Sequence, residues 1–330
     1  MQLIEVDASA AANKLLVEAS TTARDPRGST LSQPDACWSA IAESGQHSSC
    51  SLWWRNTPQL DNELVGIIGH YYAGEDATAQ ALLAHACSQL RAQGCSIAIG
   101  PMDANTWSDY RFVTETYGEP QFWLEPTNPP EWPQQFVRNK FQPLAQYFSA
   151  INARLDHEER GLNRVARRLH TAGVRLRPVA EQTFDGDVRG IFGLARVAFR
   201  SNLLYSDPDE SEFIAQTRPL QRFASLELSW VAEQHGRTVG FLFAVPDVLE
   251  MGRLGQSQSV IIKTLATIPE RAYAGLGQLM LAHVQRHALA LGYTRAIHAL
   301  MRDVGSMRRL SGRYARPMRR YTLFAKALTS

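Results

Sequence analysis

Long apolar runs are missing from this sequence: nothing approaches the roughly 18 consecutive apolar residues that a membrane-spanning helix requires, so no membrane association is expected. The opening stretch MQLIEVDASAAANKL has neither a basic leader nor a continuous apolar segment, which argues against a secretory signal and makes the cytoplasm the expected location. Cysteine is scarce. Cys37, Cys50, Cys87 and Cys95 all fall in the first third, no two have C-x-x-C spacing, and the usual zinc and redox patterns are thereby excluded. Four buried free thiols are expected instead. No low-complexity tract marks a disordered arm.

What is present is an ordinary globular composition, 45% hydrophobic and 20% charged, in a chain of 330 residues. That length suggests two lobes of comparable size. The net charge of +2 conceals an asymmetry: residues 1–165 carry 11 Lys/Arg against 19 Asp/Glu, and the remainder 23 against 13. A basic half beside an acidic one favours docking of the lobes, and it also suits a polyanionic ligand such as coenzyme A or nucleic acid.

The second half has the clearer periodicity. Val174–Val179 reads as a strand, Asp187–Asn202 and Glu210–Phe223 as helices, and Leu226–Gln234 and Thr238–Val245 as a hairpin about His235-Gly236-Arg237. Ser259–Ile268 is a strand stopped by Pro269. An amphipathic helix follows over Gly275–Leu291, with Leu276, Leu279, Met280, Val284, Ala288 and Leu291 on one face and Gly292 as C-cap. Ala296–Met301 is a strand, Ser306–Gly312 a short helix, and Arg320–Ala327 a strand that closes the sheet. A mixed α/β sheet with a strand-loop-helix unit at its centre results. The first half repeats part of this order: strand Glu63–Ala73, helix Thr78–Ala92, strand Ser96–Pro101 and late strand Pro143–Arg154. Between the halves, Leu155–Leu169 is charged and helix-favouring, and Pro126–Pro133 reads as a rigid turn.

The chemistry concentrates in Lys263–Tyr293. Pro269 frees the chain from the sheet, Gly275 and Gly277 remove side chains where a helix begins, and first-turn amides without intrahelical partners then favour an anion such as a pyrophosphate. Glycines at a helix start also serve packing against a strand. On these residues the segment resembles the GNAT acetyltransferase superfamily, whose signature is Q/R-x-x-G-x-G/A after the central strand. Ala272-Tyr273-Ala274-Gly275-Leu276-Gly277 fills that register with both glycines, while Ala272 stands in place of the leading Arg/Gln and Arg271 is displaced by one. The resemblance covers about Val174–Leu328. It implies two tandem GNAT-like mixed-sheet domains: 1–155 degenerate, 156–173 a helical linker, and 174–330 binding acetyl-CoA or another short acyl-CoA. In the first half Ala77 and Ala79 stand where the glycines belong, and Glu75 and Asp76 would repel phosphate.

The resemblance further implies an acyl-CoA-dependent N-acyltransferase acting on a primary amine of a small molecule. Pantetheine would lie along the strand at Leu265 and Thr267, with the pyrophosphate on residues 272–277. A tyrosine after the strand ending at Met301 would protonate the leaving thiolate: Tyr314 is nearest that register, and Tyr321 is the alternative that packing in the closing strand disfavours. For a base, His298 lies within an apolar strand, and Glu233 shares one face of the hairpin strand with Glu227, an even number of residues away. His283 and His287 are four apart on the helix without a third ligand, so no metal is expected. Seven arginines lie between Arg302 and Arg320 with Tyr314 the single aromatic among them, not the interleaving that stacking platforms would need, which speaks against nucleic acid. Two other readings compete: a transferase that uses aminoacyl-tRNA on a doubled GNAT-like fold, which would have lost the loop glycines, and a module that binds acyl-CoA without turnover. No motif sets the oligomeric state.

Overall fold

The β-prone runs join into a single sheet. The computed structural model of the protein describes residues 1–6, 33–156, 161–218, 226–304 and 315–328. The first half contains β1 (Gln2–Val6), β2 (Ala36–Ile41), β3 (His47–Trp53), β4 (Val65–Ala73), α1 (Asp76–Ala92), β5 (Ile97–Gly100), β6 (Phe112–Thr116), α2 (Glu131–Arg138) and β7 (Gln142–Asn152). Helix α3 (Leu162–Thr171) leads to the second half: β8 (Val174–Pro178), α4 (Phe184–Ala198), α5 (Glu210–Thr217), β9 (Trp230–Gln234), β10 (Arg237–Pro246), α6 (Val248–Leu254), β11 (Ser259–Thr267), α7 (Leu276–Ala290), β12 (Arg295–Arg302) and β13 (Ala315–Ala327).

Among the described residues the strand order is β1-β2-β3-β4-β5-β13-β7-β12-β11-β10-β9-β8, with β6 also paired to β13. Read from its two ends inward, the sheet repeats: an antiparallel run of four strands, then a parallel neighbour (β4 with β5, β11 with β12). The place next to β5 is then taken by β13, and the place next to β12 by β7. Each half therefore receives its next strand from the other. The expected closing strand Arg320–Ala327 is longer than anticipated and pairs with β5, β6 and β7, not with β12. Local residue type specifies a strand, but long-range pairing decides which edge it takes.

At the seam β7 and β13 run antiparallel from Ala315↔Asn152 to Ala325↔Gln142. Tyr321 is fully buried there, its hydroxyl within 2.9 Å of Ser149 Oγ and bonded to Glu125. Arg319 Nε donates to Glu125 Oε1 at 2.9 Å, and both side chains are buried. Arg316 pairs with Glu119 of the first half, so the charge asymmetry of the sequence is spent partly on joining the halves. Tyr321 is a core residue.

Local chemistry explains the helices. In α7, Leu276, Met280, Val284 and Ala288 are buried at four-residue spacing, and Gly292 follows in the left-handed region at φ 94°. Asp209 caps α5 by accepting from the amides of Ser211 and Glu212. Two boundaries differ from expectation. Residues 226–228 form a short 3₁₀ turn, and β9 starts only at Trp230, because Ser229 Oγ bonds Ala244 of β10 and draws the chain in. Glu227 thus lies off the hairpin strand and shares no face with Glu233. The proline-rich turn ends earlier than expected, with Pro130 opening α2. The expected helix Ser306–Gly312 lies outside the described residues. The four cysteines are buried and free, and among the described residues no helix is long and apolar enough to cross a membrane.

Candidate active site

The site begins at an irregularity in β11. Strand β10 pairs Phe243 with Thr264 and Ala244 with Ile262, leaving Lys263 as an extra residue, a β-bulge. On the other edge the parallel ladder with β12 runs only from Ser259↔Arg295 to Ile262↔His298. From Lys263 onward β11 and β12 part. Leu265 and Thr267 lie in this splayed segment, half-buried, held by β10 on one side and with no partner strand on the other among the described residues.

At the far end of β11 the chain turns through residues 268–275 into α7. Tyr273 is buried and its hydroxyl donates to Gln234 Oε1 at 2.6 Å, while Gln234 Nε2 donates to the carbonyl of Ala172 at 2.6 Å. Leu276 is fully buried; Ala272 and Ala274 are exposed. Gly275 has φ 83°, a conformation that disfavours a side chain, and a Cβ there would come within 3.0 Å of Val165 on α3. A Cβ on Gly277 would meet only Leu265 and Thr267 at 3.7 to 3.9 Å, so this glycine faces the splayed segment. The helical ladder opens with the Leu279 amide donating to the Gly275 carbonyl at 3.0 Å. The preceding amides belong to the first turn, where donors lack intrahelical acceptors and the helix dipole favours an anion.

Sequence reasoning missed the contribution of α3. This helix packs along α7. Arg168, exposed on α3, donates to the carbonyl of Ala274 within the loop. Among the described residues no carboxylate forms an ion pair with Arg164, Arg167, Arg168 or Arg271, and Arg168 sets a guanidinium against a loop that itself carries the exposed Glu270. At the signature's leading Arg/Gln position stands Ala272, and the long polar side chain that does reach the loop, Arg168, comes from the segment read as a linker. The run of basic residues in α3 was the available signal.

The candidate acid and bases are scattered. His298 is buried, with Nε2 2.8 Å from Gln285 Nε2 of α7, and burial lowers its pKa to about 4. Glu233 lies on β9 beside Arg177, which pairs with both Glu233 and the buried Asp187. This trio lines a polar groove of about 770 Å³ between α4 and the β8–β10 edge. The His283 and His287 rings pack edge-on against Trp230, with centroids 4.4 and 5.6 Å away. Tyr314 lies outside the described residues. Of the arginines after Met301, Arg316, Arg319 and Arg320 pair with Glu119, Glu125 and Asp303.

Beside the bulge opens an apolar cavity of about 160 Å³, walled by α4, α5, β9 and β10. Trp107 of the first half enters its wall, and Lys263 and Thr264 form its border on β11.

The first half repeats the bulge and the splay. His70 and Tyr71 of β4 face the single residue Cys50 of β3, and pairing of β4 with β5 stops at Ile67↔Ile99. Here the gap is filled by the chain itself. The Met102 amide donates to the Ile68 carbonyl at 3.0 Å, the Asp103 carboxylate accepts from the His70 amide at 2.6 Å, and a Cβ on Gly69 would lie 2.0 Å from the Met102 carbonyl oxygen. Only Gly74 and Glu75 separate β4 from α1, and Asp76 in its first turn is taken by Arg138 and Gln135 of α2.

No family model and no curated protein sequence matches the chain. Solved structures do. A GCN5-related glucosamine N-acetyltransferase region of a fungal multi-domain β-N-acetylglucosaminidase superposes with a TM-score of 0.56 at 11% identity, over 98% of this chain and 38% of that one. The chain therefore spans well under half of the fungal protein. A GCN5-related N-acetyltransferase from Sphaerobacter thermophilus gives 0.52 at 11% identity over 100% and 96% of the two chains, and one from Anabaena variabilis 0.53 at 10% over 99% and 73%. At such identities the likeness establishes architecture, and with the repeated splay it shows an α/β chain of two tandem mixed-sheet units with the GCN5-related N-acetyltransferase fold.

Proposed function

We propose that the protein is an acyl-CoA-dependent N-acyltransferase, with acetyl-CoA or another short acyl-CoA as donor and a primary amine of a small molecule as acceptor. One observation carries this reading: β11 splays from β12 at the Lys263 bulge, and the gap leads to a glycine-bearing helix start against which Arg168 lies. Ala272 in place of the leading Arg/Gln removes a side chain but no amide. The first-turn amides of α7 and the guanidinium of Arg168 would hold the pyrophosphate, and backbone groups at Leu265 and Thr267 would hold pantetheine as an added strand.

The transfer is a direct displacement. The amine nitrogen attacks the thioester carbonyl carbon, the C–S bond breaks, and the proton lost by nitrogen balances the one gained by the thiolate. Tyr314, placed by the resemblance alone, is proposed as the donor of that proton. His298 is neutral and bonded within the core, and Glu233 is held by Arg177, so ordered water is the better-suited base.

Calorimetry with acetyl-CoA, followed by thiol release across a panel of amines, tests the reading. Binding with amine-dependent thiol release is expected; binding without release from any amine would make the chain a sensing module, and absence of binding would refute the reading altogether. Tyr314→Phe should lower kcat by roughly 10² to 10⁴ with acetyl-CoA affinity nearly unchanged, since a general acid acts in the transition state.

A further inference from the structure

The cavity beside the bulge is more apolar than an acetyl group requires. Its lining includes Ile191 and Phe199 from the α4 region, Phe213 of α5, Trp230 of β9, and Phe241 and Phe243 of β10. A dry cavity of roughly 150 Å³ with such walls accommodates a molecule the size of benzene, and this one measures about 160 Å³.

Position identifies the occupant. The helix start that would take the pyrophosphate lies at the C-terminal end of β11, and the cavity borders Lys263 and Thr264 at the other end of the splay. A donor running from Gly275 past Thr267 and Leu265 covers about 13 Å of strand and brings its thioester to the cavity mouth. Most polar groups in the walls, Gln216 and Thr264 apart, already have partners: Trp107 Nε1 donates to the Ser206 carbonyl at 2.9 Å, Trp230 Nε1 to the Glu227 carbonyl at 2.8 Å, and Ser229 Oγ to the Ala244 carbonyl at 3.0 Å. Asp187 is held by Arg177 and Thr183. Lys263 Nζ donates to the Leu124 carbonyl at 2.7 Å, so a cationic amine entering here would meet an ammonium group.

From these observations we infer that the cavity receives the acyl group of the donor, and that this group is neutral and apolar, about six carbons long or a phenyl ring, larger than acetyl. The inference rests on the acyl-CoA reading. Each methylene buried raises affinity about fourfold, so the four methylenes separating hexanoyl from acetyl give at least about tenfold after ordering costs.

The test is calorimetry on the full chain with acetyl-CoA, hexanoyl-CoA and phenylacetyl-CoA. Hexanoyl-CoA and phenylacetyl-CoA should each bind at least about tenfold tighter than acetyl-CoA, and Ile191→Trp, which fills the cavity, should bring the hexanoyl-to-acetyl ratio close to one. Should Ile191→Trp fail to melt cooperatively, Phe213→Ala serves instead: enlarging the cavity should move the optimum toward octanoyl-CoA. Equal affinity for acetyl-CoA and hexanoyl-CoA in the unaltered chain would overturn the inference while leaving the acyl-CoA reading intact. So would an apolar amine such as hexylamine competing for the cavity in place of the acyl group. Failure of every thioester to bind would sink the functional reading itself.

Discussion

In the first half, β4 passes to α1 through Gly74 and Glu75 alone, and the loop after β5 lays Met102 and Asp103 into the space between the parted strands. In the second half, β11 reaches α7 through residues 268–275, and among the described residues no backbone group outside β10 is hydrogen-bonded to the backbone of Thr264–Thr267. The two halves share bulge, splay and helix, and differ in whether the chain satisfies its own strand edge. The amide of Met102 bonded to Ile68 does in the first half what a pantetheine amide would do in the second. On the proposed reading, a ligand site on this scaffold is a withheld hydrogen-bonding partner, and in the first half the shorter connection and Asp76, already paired with Arg138, leave no counterpart of the proposed anion cradle.

The comparison breaks most severely if the halves are separated. A fragment of residues 170–330 loses β7 from the edge of β12 and leaves β13 without β5, β6 and β7; it is expected to show no cooperative thermal transition and no acetyl-CoA binding. A fragment that melts sharply and binds like the whole chain would mean the exchanged strands are dispensable. Next in size is Gly277→Glu, which sets a carboxylate against the proposed pyrophosphate position and should weaken acetyl-CoA by at least about a hundredfold, or ~2.7 kcal/mol. The same titration on the unaltered chain should give one site per chain. Two equivalent sites would show that the first half's gap can open.

His298 offers a smaller, pH-dependent contrast, since Gly100 occupies the matching place on β5, three residues past the start of the parallel ladder. Burial lowers the His298 pKa to about 4, against an ordinary value near 6.5. Between these values the unfolded chain binds a proton that the folded chain does not, so stability falls as pH drops below about 6.5 and the loss is complete below about 4. From pH 7 to pH 5 this group costs about 2 kcal/mol. Urea unfolding at the two pH values should show that difference shrinking by a like amount in His298→Asn. The smallest effect is expected for Arg168→Ala: about tenfold weaker acetyl-CoA binding, ~1.4 kcal/mol, partly restored by Arg168→Lys. An equal loss with dephospho-CoA would place the contact on the pyrophosphate, and a loss confined to CoA would move it to the 3′-phosphate.

Much of the second half is legible because its signals are local. Pro269 ends a β-branched run, Gly275 requires a left-handed backbone, and Leu276, Met280, Val284 and Ala288 fall at helical spacing. Strands β2 and β3 are not legible in this way: Ser48, Ser49 and Ser51 are buried, so β3 carries polar residues where apolar alternation would have announced it. Trp107 and Arg168 reach the site only through tertiary packing, and the exchange of β7 and β13 joins residues far apart in sequence. Neither leaves a periodic trace. Tyr314 shows the opposite limit, being assigned by register with no described geometry around it.

The exchanged strands also impose an order on biosynthesis. Domains generally fold as they leave the ribosome, the N-terminal one first, but here β5 cannot gain its neighbour until Ala315–Ala327 has been made. At roughly 5 to 20 residues per second, the edge of β5 waits about ten to forty seconds for its partner. Throughout that interval the nascent first half presents an unpaired strand edge to its surroundings, and the last strand to emerge is the one that completes the half translated first.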